Sequence, residues 1–220
     1  GEAILEVYGD ERLFKTEYKA DRSPLTEADK RSNVIICDAL ESLYPDIPII
    51  SEENKQLDYS TRVDYKKYFL IDPLDGTKEF IKRNGEFTIN VAYLEGNRPV
   101  AGYVHIPLKK ITYFAIQHMG AWVEENNEIH QITSQSFYLL QQGIKVVASR
   151  SHRDERTNKI ISLLNQPEIV SVGSALKFIM LATGQAHFYP RLAPTMEWDT
   201  AAAQCILEEA GGSLIRFDNL

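Results

Sequence analysis

The chain has 220 residues, 44% of them hydrophobic and 25% charged, enough to bury a sizeable core without metal or disulfide staples. Its 24 basic and 31 acidic side chains leave a net charge of −7, which argues against polymeric nucleic acid and leaves open a small anionic ligand recruited by local cations or metals. No apolar run approaches the length of a membrane span, no signal peptide is visible, and Cys37 and Cys205 lie in apolar, helix-like surroundings without any CxxC or Cys/His cluster; a cytoplasmic protein with reduced core thiols is expected, with peripheral membrane association left open.

In chain order, GEAILEVYG (1–9) reads as the last turns of a helix ended by Gly9. Thr26 caps a second helix, whose apolar positions Val34, Ile35, Ala39, Leu40 and Leu43 follow one face to Pro45. Residues 47–50 (IPII) and 66–72 read as buried strands, each running into acidic residues. Residues 87–94, 99–105, 111–116 and 121–124 are β-rich runs separated by turn signals, which predicts an antiparallel meander. A polar stretch at 131–143 marks the expected boundary between an N-terminal α+β lobe (1–135) and a C-terminal α/β lobe (136–220). The second half alternates: strand 144–148, helix 154–164, strand 169–172, helix 175–183, strand 186–189, helix 199–210 and strand 213–217. Sheets sandwiched by helices, αβαβα overall, is the α/β (α+β) architecture this order predicts. The first segment enters with its apolar face already formed and the last closes just after a strand, so a longer native protein is expected.

The most informative stretch is IDPLDGTKEF (71–80). Asp72 and Asp75 stand three apart at the end of a buried strand, with Pro73 stiffening the loop between them. If both converge, with the Leu74 carbonyl as a third oxygen, the like charges require a cation, and a hard divalent ion such as Mg²⁺ meets that need. The backbone N–H groups of Gly76 and Thr77, with the Thr77 hydroxyl, then suit a phosphate oxygen. Taken alone, Asp, Pro and Gly make an ordinary surface turn about as well. Two further acidic groups shift that balance: Glu52-Glu53 after the 47–50 strand, and Asp199 in the first turn of the 199–210 helix. Asp199 is equally readable as a helix-capping acid, and Asp29 in TEAD likewise as a macrodipole partner. The tips of α/β elements meet in one crevice, so these carboxylates can share a site.

At this point SEEN (51–54), DPLDGTKEF (72–80) and WDTAAAQ (198–204) resemble the lithium-sensitive, Mg²⁺-dependent phosphomonoesterase superfamily, which includes inositol monophosphatases and fructose-1,6-bisphosphatases. SPLTEAD (23–29) and IPIISEE (47–53) are most similar to its 3′(2′),5′-bisphosphate nucleotidase branch. The resemblance covers nearly the whole chain in order. It implies that Glu52, Asp72, Asp75 and the Leu74 carbonyl hold metal, that Asp199 binds a second ion, and that Glu53 serves a third, weaker one. It implies that Asp29 and Thr77, with Glu52, activate the attacking water and that the Gly76 and Thr77 amides bind the scissile phosphate. The implied cofactor is two or three Mg²⁺ ions. The implied substrate is adenosine 3′,5′-bisphosphate, giving AMP and phosphate, with its sulfated precursor PAPS as a further candidate.

Physical support for that substrate is thinner. Lys78 follows the phosphate loop, and Arg150 and His152 lie at the tip of a strand. Gly173, Ser174 and Lys177 open a helix, while Arg191 and Glu197 flank the Asp199 loop and are candidates for selecting the sugar or the second phosphate. The lysines read equally well as solvated charges and Ser174 as a plain cap. His105, His118, His130 and His187 lack ligand spacing and read as structural. Three alternatives stand: a haloacid-dehalogenase-type phosphatase, whose D-x-D-G-T differs by one residue from the D-x-x-D-G-T here; an inositol or sugar phosphatase; and a non-catalytic nucleotide- or metal-binding module. The oligomer is expected to be a monomer or homodimer.

Overall fold

The computed structural model describes residues 1–10, 12–19, 23–148 and 155–216. From the N-terminus, α1 (Glu2–Gly9) leads to an antiparallel hairpin, β1 (Thr16–Tyr18) and β2 (Pro24–Thr26), and then to α2 (Glu27–Leu43). Next come β3 (Ile49–Ser51), the single turn α3 (Tyr59–Arg62), β4 (Lys67–Asp75) and α4 (Thr77–Ile81). Five strands follow in succession: β5 (Thr88–Glu95), β6 (Arg98–Ile106), β7 (Ile111–Ile116), β8 (Ala121–Glu125) and β9 (Glu128–Ile132). The rest alternates through β10 (Lys145–Ala148), α5 (Glu155–Ser162), β11 (Glu168–Ser171), α6 (Leu176–Ala182) and α7 (Glu197–Glu209).

β3 to β9 form one seven-stranded sheet in sequential order, with β3 parallel to β4 and every later pair antiparallel. The apolar run in β4 is continuous because both faces of the sheet are covered. Phe69 and Ile71 pack with Cys37 and Leu40 of α2 on one face. Leu70, one residue out of phase, packs with Ala92, Val104, Ala202 and Ile206 on the other, under α7. α7 comes close because its buried face carries the small residues Ala201, Ala202 and Ala203, and because β6 has Gly102 there: a β-carbon on Gly102 would stand 2.2 Å from the Ala202 carbonyl oxygen. α6 packs beside α7 and touches β10, which pairs in parallel with β11. The opposite face of β10 turns Ile144, Val146 and Ala148 toward Ile161 and Leu164 of the α5 segment. The layers therefore run α1/α2, seven-stranded sheet, α6/α7, β10/β11, α5. Both cysteines are buried and free.

Several elements differ from their expected form. The meander has a fifth strand, β9, whose EIHQI is exposed except at Ile132 and so carries no apolar alternation. β1, β2 and α3 are shorter still, at three, three and four residues, and lack a periodic signal. β4 continues past residue 72 to Asp75, where a loop was expected; a register shift between Asp72 and Asp75 accommodates Pro73 at the strand's end. α7 begins at Glu197 rather than residue 199, and α6 spans Leu176–Ala182. The expected strand at 186–189 is a single parallel bridge, Val146 to Phe188. Residues 213–216 form no strand. Residues 154 and 217 of two predicted elements lie outside the described residues.

Candidate active site

The site follows from strand periodicity. Ile50 of β3 stands opposite Leu70 of β4, both on the face under α7, so the next residues on that face are Glu52 and Asp72. The Glu52 N–H extends the ladder by donating to the Ile71 carbonyl at 3.0 Å. α7 brings its first turn to the same point. One carboxylate oxygen from each of Glu52, Asp72 and Asp199 lies within 4.8 Å of the others. The bulge in β4 adds Asp75, which faces Asn90 of β5 at 3.4 Å. Asp199 also caps its helix: Oδ2 accepts from the Thr195 hydroxyl at 2.7 Å and the Met196 N–H at 3.2 Å. The capping reading of Asp199 is therefore observed, and its carboxylate also stands beside Glu52 and Asp72.

The electrostatics are those of an over-charged acidic pocket. Burial, followed by the charges of Asp75, Glu52 and Asp199, pushes the Asp72 carboxyl well above its ordinary value, against one hydrogen bond from the Leu74 N–H at 3.1 Å. Burial raises Asp75 to about 7, while Lys177, Asn90 and the Ala175 N–H pull the other way. Glu52 and Glu53 share Lys19, whose Nζ lies 2.7 Å from an oxygen of each. Burial lifts Glu53 above the usual carboxylate range, and Lys19 opposes the shift.

Beside the carboxylates stands a hydroxyl–carboxylate pair. Thr77 Oγ1 donates to Asp29 Oδ1 at 3.0 Å. The other oxygen of Asp29 accepts from the Thr26 hydroxyl and the Thr26 N–H, so Asp29 both caps α2 and grips Thr77. Burial raises the Asp29 pKa despite these bonds. Gly76 holds φ at +96°, and a β-carbon there would lie 2.9 Å from the Glu86 carbonyl oxygen; only glycine fits between β4 and α4.

Glu52, Asp72, Leu74, Asp75 and Asp199 line a single cavity of about 240 Å³ together with Gly76, Thr77 and Lys78. Gly173, Ser174, Lys177 and Arg191 line its other side. Lys177 is buried and donates to the Ser174 carbonyl; burial lowers its pKa, while Asp75 raises it. Arg191 is anchored by the Pro194 carbonyl at 2.8 Å. Ser174 does not open a helix as a plain cap: α6 starts two residues later, and Ser174 occupies the left-handed region at φ 47°. Glu197 is not brought to the cavity wall. It is half exposed and pairs with Arg62 at 2.8 Å, because the first turn of α7 directs Asp199 inward and Glu197 outward. Glu53 also lies off the wall. Arg150 and His152 lie outside the described residues. His105, His118, His130 and His187 stand away from the cavity lining.

Sequence reasoning missed Lys19, Asn90 and Glu79, the last of which also lines the cavity. Asn90 carried a usable signal, a polar residue in an otherwise apolar strand; Lys19 carried none, because its place depends on how the β1–β2 hairpin folds over the site.

Compared with known protein families, residues 1–219 match the inositol monophosphatase family. With the mixed sheet, the helical layers and the acidic site in register, the chain belongs to that family. Among its relatives, the 3′(2′),5′-bisphosphate nucleotidase CysQ of Salmonella typhimurium is 43% identical over 211 residues, 96% of this chain and 83% of that protein. CysQ of Escherichia coli K12 is 41% identical with the same coverage. Among solved structures, CysQ from Bacteroides thetaiotaomicron, a bacterial member of the inositol monophosphatase family, superposes with a TM-score of 0.82 at 37% identity, covering 96% of this chain and 82% of that one. The IMPase of Thermotoga maritima gives 0.76 at 27% identity, covering 96% of this chain and 78% of that one.

Proposed function

We propose that the chain is a metal-dependent 3′(2′),5′-bisphosphate nucleotidase that removes the 3′-phosphate of adenosine 3′,5′-bisphosphate to yield AMP and phosphate, and accepts PAPS as well. The convergence of Glu52, Asp72 and Asp199 within 4.8 Å carries this reading, in a chain 43% identical to a protein named for that activity. The donor set fits a hard divalent cation: every ligand is oxygen, and the buried Asp72 faces three other carboxylates. Glu52, Asp72, Asp75, Asp199 and the Leu74 carbonyl would hold two or three Mg²⁺ ions. Bound magnesium supplies Lewis-acid polarisation of the phosphoryl group and acidifies water.

The protein's own groups supply positioning and proton transfer. Thr77 already donates its proton to Asp29, which leaves the Thr77 oxygen lone pairs free to accept from a water on the cavity side. In the attack, that water passes a proton to Thr77 Oγ1 as the Thr77 proton moves to Asp29 Oδ1. Burial makes Asp29 a stronger base than an exposed aspartate, which favours the relay. The Gly76 and Thr77 amides hold phosphoryl oxygens. Lys78, Ser174, Lys177 and Arg191 hold the remaining phosphate and nucleoside; Glu197, off the wall, is left out. The family match sets aside the haloacid-dehalogenase alternative, which requires a phosphorylated aspartate. The enzyme acts in the cytoplasm as a monomer or homodimer; among the described residues no helix is long and apolar enough to cross a membrane.

The test is phosphate release with Mg²⁺ from three substrates. Adenosine 3′,5′-bisphosphate is expected to exceed inositol monophosphate and fructose 1,6-bisphosphate by at least about tenfold in kcat/KM. Preference for either sugar phosphate would replace the nucleotidase reading by the inositol or sugar phosphatase one. No release from any of them would favour a binding module.

A further inference from the structure

Glu86 belongs to none of the motifs discussed above and is not part of the cavity wall. It lies between α4 and β5, with its own N–H held by Asn84 Oδ1 at 3.0 Å. Its Oε2 accepts the Gly173 N–H at 2.8 Å, across 87 residues of chain. Its carbonyl oxygen lies 2.9 Å from where a β-carbon on Gly76 would sit and 3.1 Å from the corresponding point at Gly173. One residue thus touches both the loop that opens α4 and the turn that leads into α6.

That turn is costly to hold. Ser174 keeps φ at 47°, where its β-carbon is disfavoured. Its hydroxyl is buried on the cavity side and finds no hydrogen-bond partner among the described residues. The next N–H, that of Ala175, goes to the Asp75 carboxylate, and the Ser174 carbonyl takes the Lys177 ammonium. A β-carbon on Gly173 would press on Glu79 Cγ at 2.7 Å and on the Glu86 carbonyl oxygen at 3.1 Å, so the turn is closely packed on this side as well. A left-handed serine with an orphaned hydroxyl persists only where its surroundings over-determine it, and the charged bond from Gly173 to Glu86 is the anchor on its N-terminal side.

We propose that Glu86 is a positioning residue. By clamping the Gly173 N–H it fixes the Ser174 turn against the phosphate loop at Gly76–Thr77, and so sets the pocket width for the part of the ligand that Ser174 and Lys177 meet. This rests on the nucleotidase reading above. Loss of the clamp loosens ligand binding and leaves the carboxylate cluster and the Thr77–Asp29 pair in place.

The experiment measures kcat and KM for adenosine 3′,5′-bisphosphate with Mg²⁺, calorimetric Kd for AMP, and Tm, in wild type and in Glu86→Ala, Glu86→Asp and Glu86→Gln. Glu86→Ala is expected to raise KM and the AMP Kd together by about tenfold or more, with kcat within about threefold. Glu86→Asp keeps the charge but loses the reach, so it shows the same split and stands in should the alanine variant not fold. Glu86→Gln retains an oxygen for the Gly173 N–H and stays within about threefold of wild-type KM. Unchanged KM in Glu86→Asp, or a glutamine variant as impaired as the alanine one, overturns the inference while the nucleotidase reading stands. A wild type that does not turn over the bisphosphate overturns both.

Discussion

At the scale of single residues, the site depends on groups kept in uncomfortable states. Thr77 lines the cavity and donates its hydroxyl to the buried Asp29 at 3.0 Å, so it links a buried base to the cavity. Thr77→Ala is expected to lower kcat about a hundredfold with a much smaller change in KM, measured by steady-state phosphate release; an effect on KM alone would remove Thr77 from proton transfer. Asp75 makes a pH prediction. Its carboxyl is raised from 3.8 to about 7, so between those values the folded chain binds more protons than the unfolded one. Without metal, stability therefore falls as pH rises through that window. A divalent cation needs the ionised form, so the rise in Tm on adding Mg²⁺ is expected to be larger at pH 8 than at pH 5.5 by scanning calorimetry. An equal rise at both pH values would place the cation elsewhere.

At the scale of elements, the site depends on two close approaches. β4 must reach Asp75 through Pro73, and it does so as a bulged strand end paired with β5 at Thr88. α7 must lie flat on the sheet to deliver Asp199, and Gly102 permits this. Gly102→Val would drive two methyl groups into the α7 backbone, a cost of about 1–3 kcal/mol or more from overpacking. The variant should unfold at lower denaturant in an equilibrium titration and should lose activity along with stability, because α7 carries Asp199 away with it. A Gly102→Val protein of wild-type stability would contradict the tight contact.

At the scale of the whole molecule, α7 and the first 135 residues share one hydrophobic core, in which Leu70, Ala92 and Val104 of the sheet meet Ala202 and Ile206. We propose that the division near residue 135 separates stretches of chain rather than independently folding units. A fragment of residues 1–135 is then expected to show no cooperative thermal transition by circular dichroism, since one sheet face would be left bare; a cooperative transition would restore two autonomous lobes. Much of the site was legible in the sequence. D-P-L-D-G-T after a buried run, acids closing another strand, and W-D opening a helix are local patterns, whereas the parallel register of β3 on β4 that sets Glu52 and Asp72 on one face is a finding of the structure. Periodicity likewise marked the extent of the long helices and the apolar strands, but it misplaced the buried face of α2: Val34, Ile35 and Leu43 are exposed, and the helix instead buries Ala28, Ser32 and Cys37, with Cys37 packed on Phe69 and Ile71 of β4. Short or exposed elements left no such mark, so β9 and the β1–β2 hairpin were missed. Only the tertiary structure could seat Lys19 between Glu52 and Glu53, turn Glu197 away toward Arg62, and join Glu86 to Gly173. Those pairings span 33 to 135 positions along the chain, and nothing in local patterning encodes which distant groups a fold will bring within hydrogen-bond reach.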